Sequence, residues 1–107
     1  MHFIVLGYDG KDEKALERRM SVREEHLKKG KELLDMGKWL YAAGMLDEEG
    51  KMIGSMIVCD FASKKDLEKE WLNTEAYVVG NVWEKIKIIN AQVPPFLLKN
   101  NSNYGIK

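Results

Sequence analysis

The chain of 107 residues carries 17 Lys+Arg against 17 Asp+Glu, so its formal charge is zero and no global field steers it towards nucleic acid or an anionic membrane. With 45% hydrophobic residues it can bury one core without disulfides or metals, and it is short for two domains. The one cysteine, Cys59, excludes an internal disulfide and a cysteine-based metal site, and with nothing cationic beside it reads as a reduced core thiol.

The opening run "HFIVLGY" is apolar, β-branched and aromatic, and "DGKD" closes it as a turn, which predicts a strand. It has no basic leader, so it is not read as a signal peptide, and no apolar run approaches a membrane span. The expected location is the cytoplasm. A helical pattern follows. Asp12 can cap a short first piece carrying Ala15, Leu16 and Met20, and Ser21 with Glu24 forms a capping box that predicts a restart at Val22. The restarted helix carries Leu27, Leu33 and Leu34 and ends at Gly37.

"KWLYAAGML" predicts a second strand, "DEEGK" a hairpin tip and "MIGSMIVCDF" the returning strand. Ser63 with Asp66 opens a second helix through Leu67 and Trp71. "NTEAYVVGN" reads as a loop or short helical turn, and "VWEKIKIINAQV" as a last strand stopped by Pro94 and Pro95. The domain therefore spans residues 1–93, with 94–107 a C-terminal tail in which Phe96 to Leu98 could dock.

The order β-α-β-β-α-β predicts an α+β, ferredoxin-like domain: a four-stranded antiparallel sheet with both helices on one face. Alternation puts Trp39, Tyr41, Ala43 and Met45 on one face of the second strand, and Ser55, Ile57, Cys59 and Phe61 on one face of the third. Apolar residues occupy both faces. The face without helices needs a cover, which predicts a homodimer through the open sheet face, or else a covering tail or loop.

Among the polar residues, a helix restarting at Val22 places Arg23 in its first turn and His26 three residues on, with Arg19 just ahead of the cap. Free amides and the positive dipole end there would suit a carboxylate, enolate or phosphate beside a neutral imidazole. A plain solvated helix face would carry the same residues, and the residues alone leave both readings open. Glu75, on a connection, offers a carboxylate to orient a base, Tyr77 a phenol and Ser55 a hydroxyl. No phosphate loop, metal-ligand cluster or nucleophile elbow is present, so neither a cofactor nor a metal is expected; the lack of an RNP-like motif argues against RNA.

The stretches "RRMSVREEHL", "GKWLYAAGML", "GSMIVCDF" and "EAYVVGNVWEKIKI" resemble the YciI-like (YCII-related) family, a dimeric α/β-barrel group built on ferredoxin-like subunits. The resemblance implies a pocket in each subunit with a His-Asp pair at its centre, and lyase or isomerase chemistry, one relative removing chloride from a chlorinated hydroquinone. Carried over by position, His26 matches the family histidine, Arg23 the arginine ahead of it and Ser55 the serine of the Gly-Ser step. The acid departs: Glu75, Ala76 and Tyr77 stand where members usually have Asp-Pro followed by Tyr or Phe. Glutamate keeps the charge but adds a methylene, and alanine frees a φ angle.

Two functions follow as expectations. In the first, His26 and Glu75 are catalytic on a small anionic or phenolic molecule, with Arg19, Arg23, Ser55 and Tyr77 binding it. In the second, the same cleft is a non-catalytic small-molecule or accessory site. Neither involves nucleic acid or a membrane.

Overall fold

Every second residue of the first strand is buried, as the period of a sheet packed on one face requires: Phe3, Val5, Gly7 and Asp9 point inward between half-exposed neighbours. The computed structural model describes the backbone of residues 1–102 and the side chains of residues 1–98. In chain order the elements are β1 (His2–Asp9), α1 (Ala15–Asp35), β2 (Trp39–Leu46), β3 (Met52–Asp60), α2 (Lys64–Glu70), a 3-10 turn (Leu72–Thr74), α3 (Ala76–Val79), β4 (Trp83–Ala91) and α4 (Pro95–Ser102). The strands form one four-stranded sheet in the order β2-β3-β1-β4, and each neighbouring pair is antiparallel. This is the ferredoxin-like topology, with α1 to α3 packed on one face. Among the described residues no helix is long and apolar enough to cross a membrane.

The core lies between that face and the helices, around Phe3, Val5, Ile57, Cys59, Leu67 and Trp71. Burial pushes the Cys59 thiol up to about 12, with Asp60 adding to the effect, in keeping with an inert core residue. Two terminators act as the sequence predicts. Gly37 sits at φ +77° after α1, where Lys38 N–H donates to Leu33 O at 2.8 Å and Gly37 N–H to Leu34 O at 3.0 Å, a Schellman close. Ser63 Oγ accepts from Asp66 N at 3.1 Å and caps α2.

Three expectations are corrected. First, α1 does not restart at Val22; it runs unbroken from Ala15. Ser21 Oγ turns back to donate to Arg18 O at 2.8 Å, the bond a mid-helix serine makes in place of a cap. Arg23 and His26 therefore lie well inside the helix, where amides are already used and no dipole end collects. Asp12 accepts from Lys14 N but is mainly engaged with Arg18, at 2.7 and 2.9 Å, and that guanidinium holds its carboxyl well below the usual range.

Second, the apolar stripe read along α1 is, apart from Leu33, not its buried face. Leu16, Met20, Leu27 and Leu34 are exposed, whereas Arg19, His26, Gly30 and Leu33 are buried. Third, Trp39 and Tyr41 do not share a face of β2. Trp39 pairs with Cys59 and Tyr41 with Val58, so β2 advances two residues while β3 advances one. The bulge at Leu40 turns Trp39 under the helices and leaves Tyr41 69% exposed on the other side.

That other side carries Ile4 and Val58 beside Tyr41. Where the sequence reads only a tail, Pro95–Ser102 is helical, and its Leu97 and Leu98 join Ile4, Leu40, Tyr41 and Val58 around a groove of about 530 Å³. Residues 103–107 of the expected tail lie outside the described residues.

Gly30 decides how closely α1 approaches the sheet: a Cβ there would stand 2.4 Å from Trp39 Cζ3. Helix propensity alone makes Gly30→Ala stabilising by about 1 kcal/mol. Overpacking against a wedged indole costs about 1–3 kcal/mol, and this term should win. Urea unfolding of Gly30→Ala should show a net loss of stability, with altered near-ultraviolet dichroism from the displaced Trp39; a gain would mean the helix yields freely.

Candidate active site

The sheet-facing stripe of α1 runs Arg19, Val22, His26, Gly30 and Leu33, spaced by threes and fours as one helix face requires. Two of these positions hold ionisable side chains, and each must find partners because burying a charge alone is costly. Both do.

His26 Nδ1 lies 2.6 Å from Glu75 Oε2. Glu75 sits just before α3, where its side chain accepts from Tyr77 N at 3.0 Å and so caps that short helix. Its other oxygen, Oε1, accepts from Trp71 Nε1 at 2.7 Å. Glu75 is 1% exposed and His26 6%. The carboxylate favours the tautomer with hydrogen on Nδ1, leaving a lone pair on Nε2. Nε2 has no hydrogen-bond partner among the described residues. The imidazole also stacks on the Tyr77 ring, with centroids 3.9 Å apart and planes 11° apart.

Arg19 anchors a second network. Its Nη1 donates to Asp9 Oδ1 and Oδ2 at 2.9 and 2.8 Å, and its Nη2 to Ser55 Oγ at 2.9 Å and Gly54 O at 3.3 Å. Trp83 Nε1 also donates to Ser55 Oγ, at 3.3 Å. The Arg19 guanidinium carbon lies 4.7 Å from the Tyr77 ring centre, so Tyr77 contacts both networks. Burial pushes the Tyr77 phenol up despite Arg19 and Arg23 nearby, which keeps it protonated and able to donate at neutral pH.

A cleft of about 170 Å³ opens between α1 and the β2–β3 side of the sheet, bordered by Arg19, Arg23, His26, Trp39, Ser55 and Tyr77. All the site residues proposed from sequence except Glu75 line it, and Glu75 stands directly behind His26. Arg23 is the exposed member of the set. Arg19 and Ser55, expected to bind a ligand, already bind Asp9 and each other. Sequence reasoning passed over Asp9 and Trp71. Asp9 carried a readable signal: it continues the inward parity of Phe3, Val5 and Gly7. Trp71 carried none, because nothing in its spacing distinguishes it from a core residue.

The chain matches the family described as the YCII-related domain over residues 1–92. No curated protein matches it. Among solved structures it resembles 5-chloro-2-hydroxyhydroquinone dehydrochlorinase (TftG) from Burkholderia phenoliruptrix AC1100, in complex with 2,5-dihydroxybenzoquinone. The TM-score is 0.73 at 13% identity, over 90% of this chain and 98% of that one, a likeness of fold. The crystal structure of protein Atu4242 from Agrobacterium tumefaciens aligns over 89% of this chain and 98% of that one, with TM-score 0.49 and 17% identity.

The Arg19–Asp9 pair has side chains only 4% and 5% exposed. Removing one partner of such a pair costs about 3–5 kcal/mol, because the other charge stays buried. Asp9→Ala should therefore lose stability on that scale in chemical denaturation, while Asp9→Leu with Arg19→Met should lose less than Asp9→Ala alone. Equal losses would show that the charges are not coupled.

Proposed function

The chain belongs to the YCII-related domain family, and we propose that it is an acid-base enzyme of lyase, dehydrochlorinase or isomerase type acting on a small anionic or phenolic molecule. The observation that carries this is the 2.6 Å contact between His26 and Glu75 at the wall of a cleft. The extra methylene of Glu75 has not separated the pair, which favours the enzyme over a binding module of the same shape.

In this reading His26 Nε2 takes a proton from a hydroxyl or C–H group of the substrate, and the freed electron pair moves towards a departing group such as chloride or into a shifted double bond. Glu75 holds Nδ1–H and balances the imidazolium charge until the proton passes to product or solvent. Arg23, at the rim, attracts the anion, and Tyr77 donates a hydrogen bond. Arg19 and Ser55 form the polar wall behind it. A cavity of about 150 Å³ accommodates benzene, so a cleft of about 170 Å³ suits one substituted six-membered ring. The dehydrochlorinase of like fold holds such a ring, 2,5-dihydroxybenzoquinone.

A panel of halogenated hydroquinones, catechols and unsaturated lactones should contain a substrate. On it His26→Ala should lower kcat by about 10²–10⁴-fold, the usual contribution of a positioned acid-base group. Arg23→Ala should act chiefly on KM. Ligand binding that survives His26→Ala, with no turnover anywhere in the panel, would establish the binding module instead.

The working unit is residues 1–93, with 94–107 an appendage, and the cytoplasm suits its buried reduced thiol. We assign the open sheet face to a homodimer, because Tyr41 and the apolar groove beside α4 lack a full cover. Sedimentation should give twice the monomer mass, and Tyr41→Asp should shift it towards monomer; a monomer at micromolar concentration would reject this assembly.

A further inference from the structure

We propose that Trp71 is a positioning residue: its indole N–H fixes the plane of the Glu75 carboxylate and so sets which nitrogen of His26 carries the proton. This rests on the His26–Glu75 reading above. A glutamate side chain is long, and holding one in a single orientation gives up rotamer freedom. On Glu75 a single oxygen, Oε2, receives both Tyr77 N–H and the imidazole, and bonds to one oxygen leave the carboxylate free to swing about it. The bond from Trp71 Nε1 to Oε1, at 2.7 Å, removes that freedom.

The backbone is shaped for this contact. α2 ends at Glu70, Trp71 breaks the helix at φ −136° and ψ −64°, and the 3-10 turn brings Glu75 back to the indole of the residue four before it. The indole is itself immobile: it is 0% exposed, parallel to the Phe61 ring at 6.2 Å between centroids and edge-on to Trp39 at 5.4 Å. Trp39 in turn abuts α1 at Gly30, one turn beyond His26. The placement of Glu75 is thus referred, through two indoles, to the helix that carries its partner. A buried indole N–H needs an acceptor in any case; here that acceptor is the second carboxylate oxygen of Glu75, the bond that bears on the pair.

The test replaces Trp71 site-specifically with its sulfur analogue, 3-benzothienylalanine, which keeps the bicyclic shape and lacks the N–H. Nitrogen-15 spectra of the ligand-free protein at neutral pH should show the Nδ1–H tautomer of His26 and a low-field Nδ1–H proton in the natural chain. In the analogue the low-field proton should be lost and both tautomers populated, with the thermal unfolding midpoint little changed. Trp71→Phe, measured far below its own unfolding temperature, should reproduce the loss. An unchanged low-field proton and tautomer in both variants would overturn the role of Trp71 while leaving the pair intact. Their absence already in the natural chain would overturn the pair itself, and the positioning role with it.

Discussion

A carboxylate removed from water must be given back its hydrogen bonds, and Glu75 is removed almost completely. Imidazole, indole and backbone amide supply them from three different parts of the chain: α1, the end of α2 and the first turn of α3. Each donor is worth about 1.5–3 kcal/mol when its acceptor is charged. Leaving the anion unpaired would cost several kcal/mol, enough to decide whether a domain of this size folds. The helices on the inner face are therefore held by a polar requirement as well as by apolar burial.

The Arg19 network solves the same problem at the other end of the cleft. Asp9 neutralises the guanidinium through Nη1, and Ser55 and Gly54 accept from Nη2, while the buried Nε has no partner among the described residues, so α1 is tied to β1 and β3 at one point and to α3 at another. Tyr77 lies against both His26 and Arg19, filling the space between two polar networks with an aromatic ring. With Arg19 spent on Asp9, the guanidinium left free to meet a ligand is Arg23. The unfavourable cost of burying these groups falls on α1, whose inward stripe gives up leucines for Arg19, His26 and Gly30.

This explains what the sequence could and could not show. The order of the elements follows from hydrophobic patterning and the two faces of β3 from period-two alternation, and Gly37 and Ser63 end or begin helices by mechanisms visible in single residues. The orientation of α1 was hidden, since an apolar periodicity at Leu16, Met20, Leu27 and Leu34 points outward while Arg19, His26 and Gly30 point in with Leu33. Ser21 with Glu24 has the pattern of a cap, but a mid-helix serine satisfies itself on Arg18 O and looks identical in sequence. The bulge at Leu40 and the partnership of Trp71 with Glu75 are tertiary facts with no local signature. The family resemblance drew attention to His26 and to the position of Glu75, and in the structure the two side chains lie 2.6 Å apart.

The central claim is that His26 and Glu75 act as one unit. A double-mutant cycle on folding stability tests it without any substrate, using His26→Ala, Glu75→Gln and the two together under identical conditions at neutral pH. Residues sharing a network couple by about 0.5–3 kcal/mol, and for a charge-assisted bond at 2.6 Å the upper half of that range is predicted. Losses that add to within about 0.3–0.5 kcal/mol, as independent sites do, would contradict the account.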